Sequence, residues 1–243
     1  MMKFMAIIWK DWTIFKRKFF STSIGMIVGP LLYLIAFGWG LGDSVQMNGV
    51  SYIAFVIPGL VAMNSMTNSY SPIANDINIS RIYGQTFEST MTAPINMGVY
   101  TTARITAGAL RGMYGAALIL ALSCLFQTDL RIDVYFVLIL VLNCFVFSSI
   151  GFIAGILINS HADMAKVSNF VITPMSFLCG TFFPLDRFPP VLRPVINMLP
   201  LSIAVRGMRE GMQADGALTR ILVMGLYLTV LMSAAVHLCR KAE

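Results

Sequence analysis

Charge is scarce in this chain of 243 residues: Asp, Glu, Lys and Arg supply 12% of it and hydrophobic types 57%, against about 25% charged in an ordinary globular domain. With a mean hydropathy of +0.77, a soluble enzyme body is excluded and an integral membrane protein is indicated. The length holds about six spans of roughly 20 residues and no sizeable soluble domain. No GxxxxGK phosphate loop followed by Ser or Thr occurs, so the amides, lysine and magnesium-binding hydroxyl that hold ATP are missing. Acids and histidines are missing from the apolar runs. Asp43, Asp76, Asp129, Asp133, Asp163, Asp186 and Asp215 fall in expected loops, and His161 and His237 at expected helix ends, which leaves a proton relay at membrane depth without residues. There is no GxSxG elbow, and Ser160 beside His161 sits at an expected turn, which argues against a hydrolase. Cys124, Cys144, Cys179 and Cys239 stand singly, without the paired spacing of a zinc or redox centre, so no bound metal or cofactor is expected. The net charge of +6 is too dispersed for nucleic acid and suits a cytoplasmic membrane face. Trp9 to Lys18 carries charge where the apolar core of a signal peptide would begin, so the first span is expected to be retained. Internal repeats and flexible linkers are lacking too, and one membrane domain over 1–243 is expected.

What is present is apolar sequence in long runs. Charge-free stretches place six transmembrane helices at about 23–42, 51–72, 98–126, 134–158, 167–183 and 219–239. The fold class is all-α and polytopic, and an even count of spans puts both termini on one side. Lys3, Lys10, Lys16, Arg17, Lys18, Arg81, Lys166, Arg240 and Lys241 share that side, against Arg131 in the opposite short loops. Both termini are therefore expected in the cytoplasm of a bacterial inner membrane protein.

Before the first span, Phe4, Ile8, Trp12, Phe15 and Phe19 fall within an arc of about 80° on a helical wheel, opposite Lys3, Lys10 and Arg17. This predicts an amphipathic helix over 1–22 lying along the inner membrane surface, basic side to anionic headgroups. A second cytoplasmic helix is expected over 75–93. Asn75 or Asp76 can cap it, Pro94 limits it, and Ile79, Tyr83, Phe87 and Met91 recur on one face that wants a groove. That groove belongs either to the bundle itself or to a separate subunit.

Half of the ten prolines (Pro184, Pro189, Pro190, Pro194 and Pro200) fall between Leu178 and Met212. Each removes a helical amide donor, so this apolar segment cannot be one span. Short re-entrant helices over 184–215, dipping part-way into the bilayer, are expected. Polar residues mark two spans: Asn64, Asn68 and Ser71 on the second, and Asn169, Thr173 and Ser176 on the fifth. Either they line a pathway or they bond to neighbouring helices. Arg104 and Arg111 lie one heptad, about 10 Å, apart in the third span. Arg104 is expected to snorkel to the inner interface, and Arg111 to snorkel or to meet an acidic headgroup. Arg206 and Glu210 are spaced for a local i, i+4 pair.

The pattern SYIAFVIPGLVAMNSMTNSYS in the second span, the cytoplasmic FESTMTAPI, and the ending GTFFPL, FPPVL and LPLSIAVRGMREG resemble the membrane subunits of ABC-2 type exporters, particularly the nodulation-factor-export and drug-resistance permease branch. The resemblance covers nearly the whole chain. It implies a half-transporter of six spans that pairs with a second permease copy, expected as a homodimer, and with cytoplasmic ATPase subunits that bind ATP and magnesium. It makes 1–22 the connecting helix and about 76–93 the coupling helix, with Ile79, Tyr83, Phe87, Glu88 and Met91 toward the ATPase. Asn64, Asn68, Ser71, Asn169, Thr173, Ser176 and Arg111 become candidates for the substrate pathway. Phe182, Phe183, Arg206 and Arg209 become candidates for an outer gate. The implied cargo is amphipathic or lipid-like: a lipo-oligosaccharide, a lipid-linked glycan or a hydrophobic drug. A membrane scaffold that only recruits a cytoplasmic partner, or an ion-coupled secondary transporter, is the alternative.

Overall fold

The computed structural model describes residues 2–41, 46–47, 50–83, 96–126, 132–212 and 215–241. Helices α1 (Met2–Arg17) and α2 (Phe19–Leu41) are separated only by a turn at Lys18. A two-residue antiparallel ribbon, β1 (Gln46–Met47) and β2 (Val50–Ser51), leads into α3 (Tyr52–Ile82). Helices α4 (Met97–Ser123) and α5 (Val134–Leu157) begin at Asn96 and Asp133, whose side chains accept from the amides of Gly98 and Phe136 at 2.8 and 2.7 Å. Such caps satisfy first-turn donors that the helix itself leaves open.

The fifth apolar run is broken for a local reason. Helix α6 (His161–Val167) passes through a π turn (Ser168–Ile172) into α7 (Thr173–Leu178), with the Thr173 amide bonded to the Ser168 carbonyl. Pro174 has no amide to give the previous turn and crowds its carbonyls, and the wider turn relieves that clash. Beyond a turn at Gly180 come the short α8 (Arg193–Met198) and α9 (Pro200–Glu210), then α10 (Ala217–Lys241).

Among the described residues, four helices are long and apolar enough to cross a membrane: Phe19–Phe37 of α2, α4, α5 and α10. Two of the six expected spans differ from that description. The second is helical over all 31 residues of α3 but is diluted by Asn64, Ser65, Thr67, Asn68 and Ser69. The fifth is helical over 161–178 but carries the π turn.

Helix α3 is the axis of the bundle, with every side chain from Phe55 to Ala62 buried. Its neighbours reach it through glycines. A Cβ on Gly112 of α4 would fall on the Ser69 hydroxyl and 2.7 Å from the Ser65 carbonyl oxygen. A Cβ on Gly151 or Gly155 of α5 would lie 2.6 Å from the Tyr70 carbonyl oxygen or 2.8 Å from the Ile77 Cβ. These separations are shorter than real side chains tolerate, so backbone packs on backbone, as in membrane helix pairs with small residues four apart. Near the two termini a second core forms from Ile7, Ile77, Met97, Tyr100, Phe152, Ala235 and Cys239. Both termini therefore share one end of the bundle.

One boundary moves. A new helix was expected to start at Asn75 or Asp76, yet α3 runs through both without interruption, and its cap is Ser51, whose hydroxyl accepts from the Ala54 amide at 3.4 Å. Ile79 and Tyr83 are exposed at its far end. Phe87, Glu88 and Met91 lie outside the described residues.

Candidate functional site

At the end that carries the termini, one guanidinium joins three helices. Arg104 of α4 donates Nη1 to both carboxylate oxygens of Asp11 in α1, at 2.6 and 2.8 Å, and Nη2 to Asp76 in α3. The side chains of Arg104 and Asp11 are only 6% and 7% exposed, and that of Asp76 is 56% exposed. Arg104 therefore does not snorkel. Two carboxylates converge on its planar fork inside the protein, the geometry that suits guanidinium best. Asp76, expected in a loop, projects from the helix as one of those partners.

Arg111, two turns further along α4, is held more loosely. Its Nη2 is 3.5 Å from the Asp11 carbonyl oxygen, and its guanidinium carbon is 6.0 Å from the centroid of the Phe15 ring. Phe15 packs edge-on against Tyr114 at 5.2 Å, and the Tyr114 hydroxyl is 2.7 Å from that of Ser23 in α2. The apolar arc of α1 is thus divided. Phe15 is buried against α4, whereas Trp12, and Phe19 at the start of α2, remain exposed.

In mid-bundle the polar residues of α3 bond mainly to helices. Asn64 donates its amide to the Gly115 carbonyl of α4 at 2.9 Å, and Asn68 donates to the Asn64 carbonyl and side-chain oxygens, both at 2.8 Å. Asn143 of α5 donates to the Ala62 carbonyl and the Ser65 hydroxyl at 3.2 and 2.9 Å. Ser71 is half-buried and Thr67 exposed. Along 161–178, Asn169 and Thr173 are exposed, while Ser176 is buried and donates to the Ile172 carbonyl at 2.9 Å. Among the described residues no hydrogen bond joins the two strips.

At the opposite end Arg209 of α9 ties the proline-rich segment to α3. It donates Nε to the Phe55 carbonyl at 2.9 Å, Nη1 to that of Gly180 at 2.6 Å and Nη2 to that of Thr181 at 2.7 Å, and its guanidinium lies 3.7 Å over the Phe55 ring. Gly180 makes this possible, because its φ of 81° turns two successive carbonyls toward one cation. Burial works against the charge and lowers the Arg209 pKa to about 9, opposed by Tyr52 and Glu210. The residue stays cationic at neutral pH, solvated by carbonyl dipoles and an aromatic face. Tyr52 donates to the next carbonyl, that of Phe182, at 3.2 Å.

Of the other outer candidates, Phe182 is buried against Tyr33, Phe37 and Phe177, at ring separations of 5.0, 5.8 and 5.5 Å, and Phe183 is exposed. Arg206 pairs with Glu210 at 3.3 Å, and Glu210 also meets Arg220, which ties α9 to α10. Arg193, Arg206 and Arg209 line a cavity of about 520 Å³ beside Phe55 and Pro58.

The node of Asp11, Arg104 and Asp76 was not assembled from sequence, although a signal existed. Asp11 interrupts the apolar arc between Ile8 and Phe15, and an acid on an apolar stripe wants a buried cation. The glycine seams were also legible, as G-x-x-x-G at 108–112 and 151–155.

Comparison with known proteins identifies the family. The ABC-2 type transporter family model matches residues 2–212. The inner membrane transport permease YadH of Escherichia coli (strain K12) is 29% identical over 199 residues, covering 81% of this chain and 77% of its own length. Nodulation protein J of Rhizobium meliloti (strain 1021) is 28% identical over 204 residues (83% and 78%), and that of Rhizobium leguminosarum bv. viciae is 24% identical over 246 residues (99% and 95%). The chain belongs to the ABC-2 type transporter family, as a membrane permease with several apolar spans.

Proposed function

We propose that this permease is the membrane half of an ATP-driven exporter in a bacterial inner membrane, carrying an amphipathic or lipid-like molecule outward. The observation that carries this reading is the family match over residues 2–212, and the unbroken course of α3 supports it. That helix starts beside the Arg209 latch and ends at Ile82, with Tyr83 as its cap immediately before the stretch 84–95. In this reading 84–95 holds the contact that receives the motion of a separate ATPase, with Phe87, Glu88 and Met91 joining Ile79 and Tyr83. ATP and magnesium are bound by that partner. Six spans with both termini cytoplasmic put Arg209 and its cavity on the outer side, as a re-entrant cap near the exit. Asn64, Asn68, Ser71, Asn169, Thr173, Ser176 and Arg111 remain the candidate lining, and a lipo-oligosaccharide, a lipid-linked glycan or a hydrophobic drug suits it.

A second copy completes the pathway in this reading. Ile24, Val28 and Leu32 of α2 are exposed, and nothing lies within 4 Å of a Cβ built on Gly25 or Gly29. Asn169 and Thr173 are exposed as well and would gain partners across such an interface.

The test is purification from native membranes with the products of neighbouring genes, followed by ATPase measurement with and without candidate cargo. A stable complex whose hydrolysis rises with cargo, and whose export is lost in Phe87→Asp, is the expected result. Isolation without any ATPase, with export intact in Phe87→Asp, would leave the scaffold reading in its place.

A further inference from the structure

A cavity of about 40 Å³ lies in the seam between α1 and α4, walled by Ile8, Asp11, Trp12, Phe15, Leu110 and Arg111. It shares Trp12 and Phe15 with a groove of about 720 Å³ lined by Lys16, Arg17, Lys18 and Phe19. Arg111 brings five N–H donors to this place. Its one described hydrogen bond is the 3.5 Å contact with the Asp11 carbonyl, at the limit of bonding distance. The Asp11 carboxylate is already taken, since both its oxygens accept from Arg104 at 2.6 and 2.8 Å. A guanidinium in an apolar helix without a full set of acceptors is costly, so the seam has unmet capacity for an anion.

The surroundings narrow that anion. The smaller space has room for little more than one water-sized group, about 30 Å³, which suits phosphate oxygens rather than a sugar. The larger groove combines three exposed cations, Lys16, Arg17 and Lys18, with exposed Trp12, Phe19 and Phe20. Free phosphate would have no use for those rings, whereas acyl chains would. The geometry points to a binding site for one anionic phospholipid of the inner leaflet. Its phosphate sits on Arg111, its chains run along Trp12, Phe15 and Phe19, and its headgroup charge is met by the basic turn 16–18. A lipid seated there props α1 against α4 beside the Asp11–Arg104 pair. This site takes Arg111 out of the candidate pathway lining but does not otherwise rest on the export reading, because it needs neither cargo nor ATPase.

The full-length permease carrying Trp9→Phe and Trp39→Phe, reconstituted in phosphatidylcholine nanodiscs, reports the site through Trp12 fluorescence. Brominated phosphatidylglycerol is expected to quench Trp12 at a lower mole fraction than brominated phosphatidylcholine. Arg111→Gln should weaken the phosphatidylglycerol response about fivefold, the effect of one basic contact at a membrane surface, and Arg111→Lys should retain most of it. Gel filtration verifies folding. If Arg111→Gln does not fold, the paired change Lys16→Gln and Arg17→Gln must reduce the same preference. Equal quenching by the two lipids, or an unchanged preference in the variant that folds, overturns the site. Displacement of the brominated lipid by inorganic phosphate overturns the lipid assignment in favour of a small-anion site.

Discussion

Replacing Arg104 by glutamine should destabilise this protein more than removing either of its acidic partners, for reasons that follow from burial. The Asp11 side chain is 7% exposed and that of Asp76 is 56% exposed. Without Arg104, Asp76 regains water, but Asp11 is left as a buried carboxylate, since Arg111 reaches only its backbone carbonyl. Removing one partner of a buried pair costs about 3–5 kcal/mol, and Arg104→Gln should fall there. Asp11→Asn leaves Arg104 its bond to Asp76 and should cost about 1.5–3 kcal/mol, one charge-assisted hydrogen bond. Asp76→Asn removes a largely solvated contact and should cost at most about 1 kcal/mol. The double variant Arg104→Gln with Asp11→Asn contains no stranded charge, so it should be more stable than Arg104→Gln alone, which requires a coupling larger than the Asp11→Asn loss, up to about 3 kcal/mol. Denaturant unfolding of the detergent-solubilised permease, followed by circular dichroism, gives all four values. Equal losses in the three single variants, or losses that simply add in the double, would refute the assignment of Asp11 as the buried partner.

Gly112→Ala forces a Cβ to within 2.7 Å of the Ser65 carbonyl and should cost about 1–3 kcal/mol by overpacking, measured by the same unfolding assay. Gly25→Leu with Gly29→Leu meets open space within one protomer, so monomer unfolding should be unchanged while cross-linking between copies falls; loss of monomer stability would contradict the exposed face of α2. Arg209→Lys replaces a three-pronged donor with one ammonium and leaves at least one buried carbonyl unmet, at about 1–3 kcal/mol. Maleimide should then label Cys179, which is fully buried, faster than in the parent with Cys179 as its single cysteine. Unchanged labelling would show that Arg209 does not close the proline-rich segment.

The long apolar runs were legible because membrane helices advertise themselves by length and lack of charge. The boundaries of α5, expected at 134–158 and found at Val134–Leu157, show it. The break in the fifth run was not, because Pro174 acts on one turn without stopping the helix. The end of α3 was misjudged for a related reason. Asn75 and Asp76 are good caps and so read as a start, but the cap preference is worth only about 1 kcal/mol, less than Asp76 gains by meeting Arg104 from inside the helix. The candidate site was half legible. Residues whose role depends on what lies opposite, such as Asn64 on Gly115 or Arg209 on three carbonyls, carry no trace in sequence of the partner, since the backbone acceptors they meet are present at every position.

The two polar nodes are linked by a single element whose stiffness the packing determines. Phe55 at the Arg209 latch and Asp76 at the Arg104 node are separated along α3 by about 31 Å at helical rise. Two prolines interrupt the helical ladder between them, Pro58 and Pro72, each removing one bond. Around Pro72, the residues from Ser69 to Ile77 are gripped by Gly108 and Gly112 on one side and by Gly151 and Gly155 on the other, through the Ser69, Tyr70 and Ala74 carbonyls and the side chains of Ser69, Ile73 and Ile77. A kink at Pro72 would press α3 into these close contacts, so this part of the helix moves as a rod. Displacement of its Asp76 end must therefore either slide the rod along both glycine seams or break the Asp11–Arg104–Asp76 bridge. In the first case it reaches the Phe55 carbonyl, and with it the hold of Arg209 on the proline-rich segment.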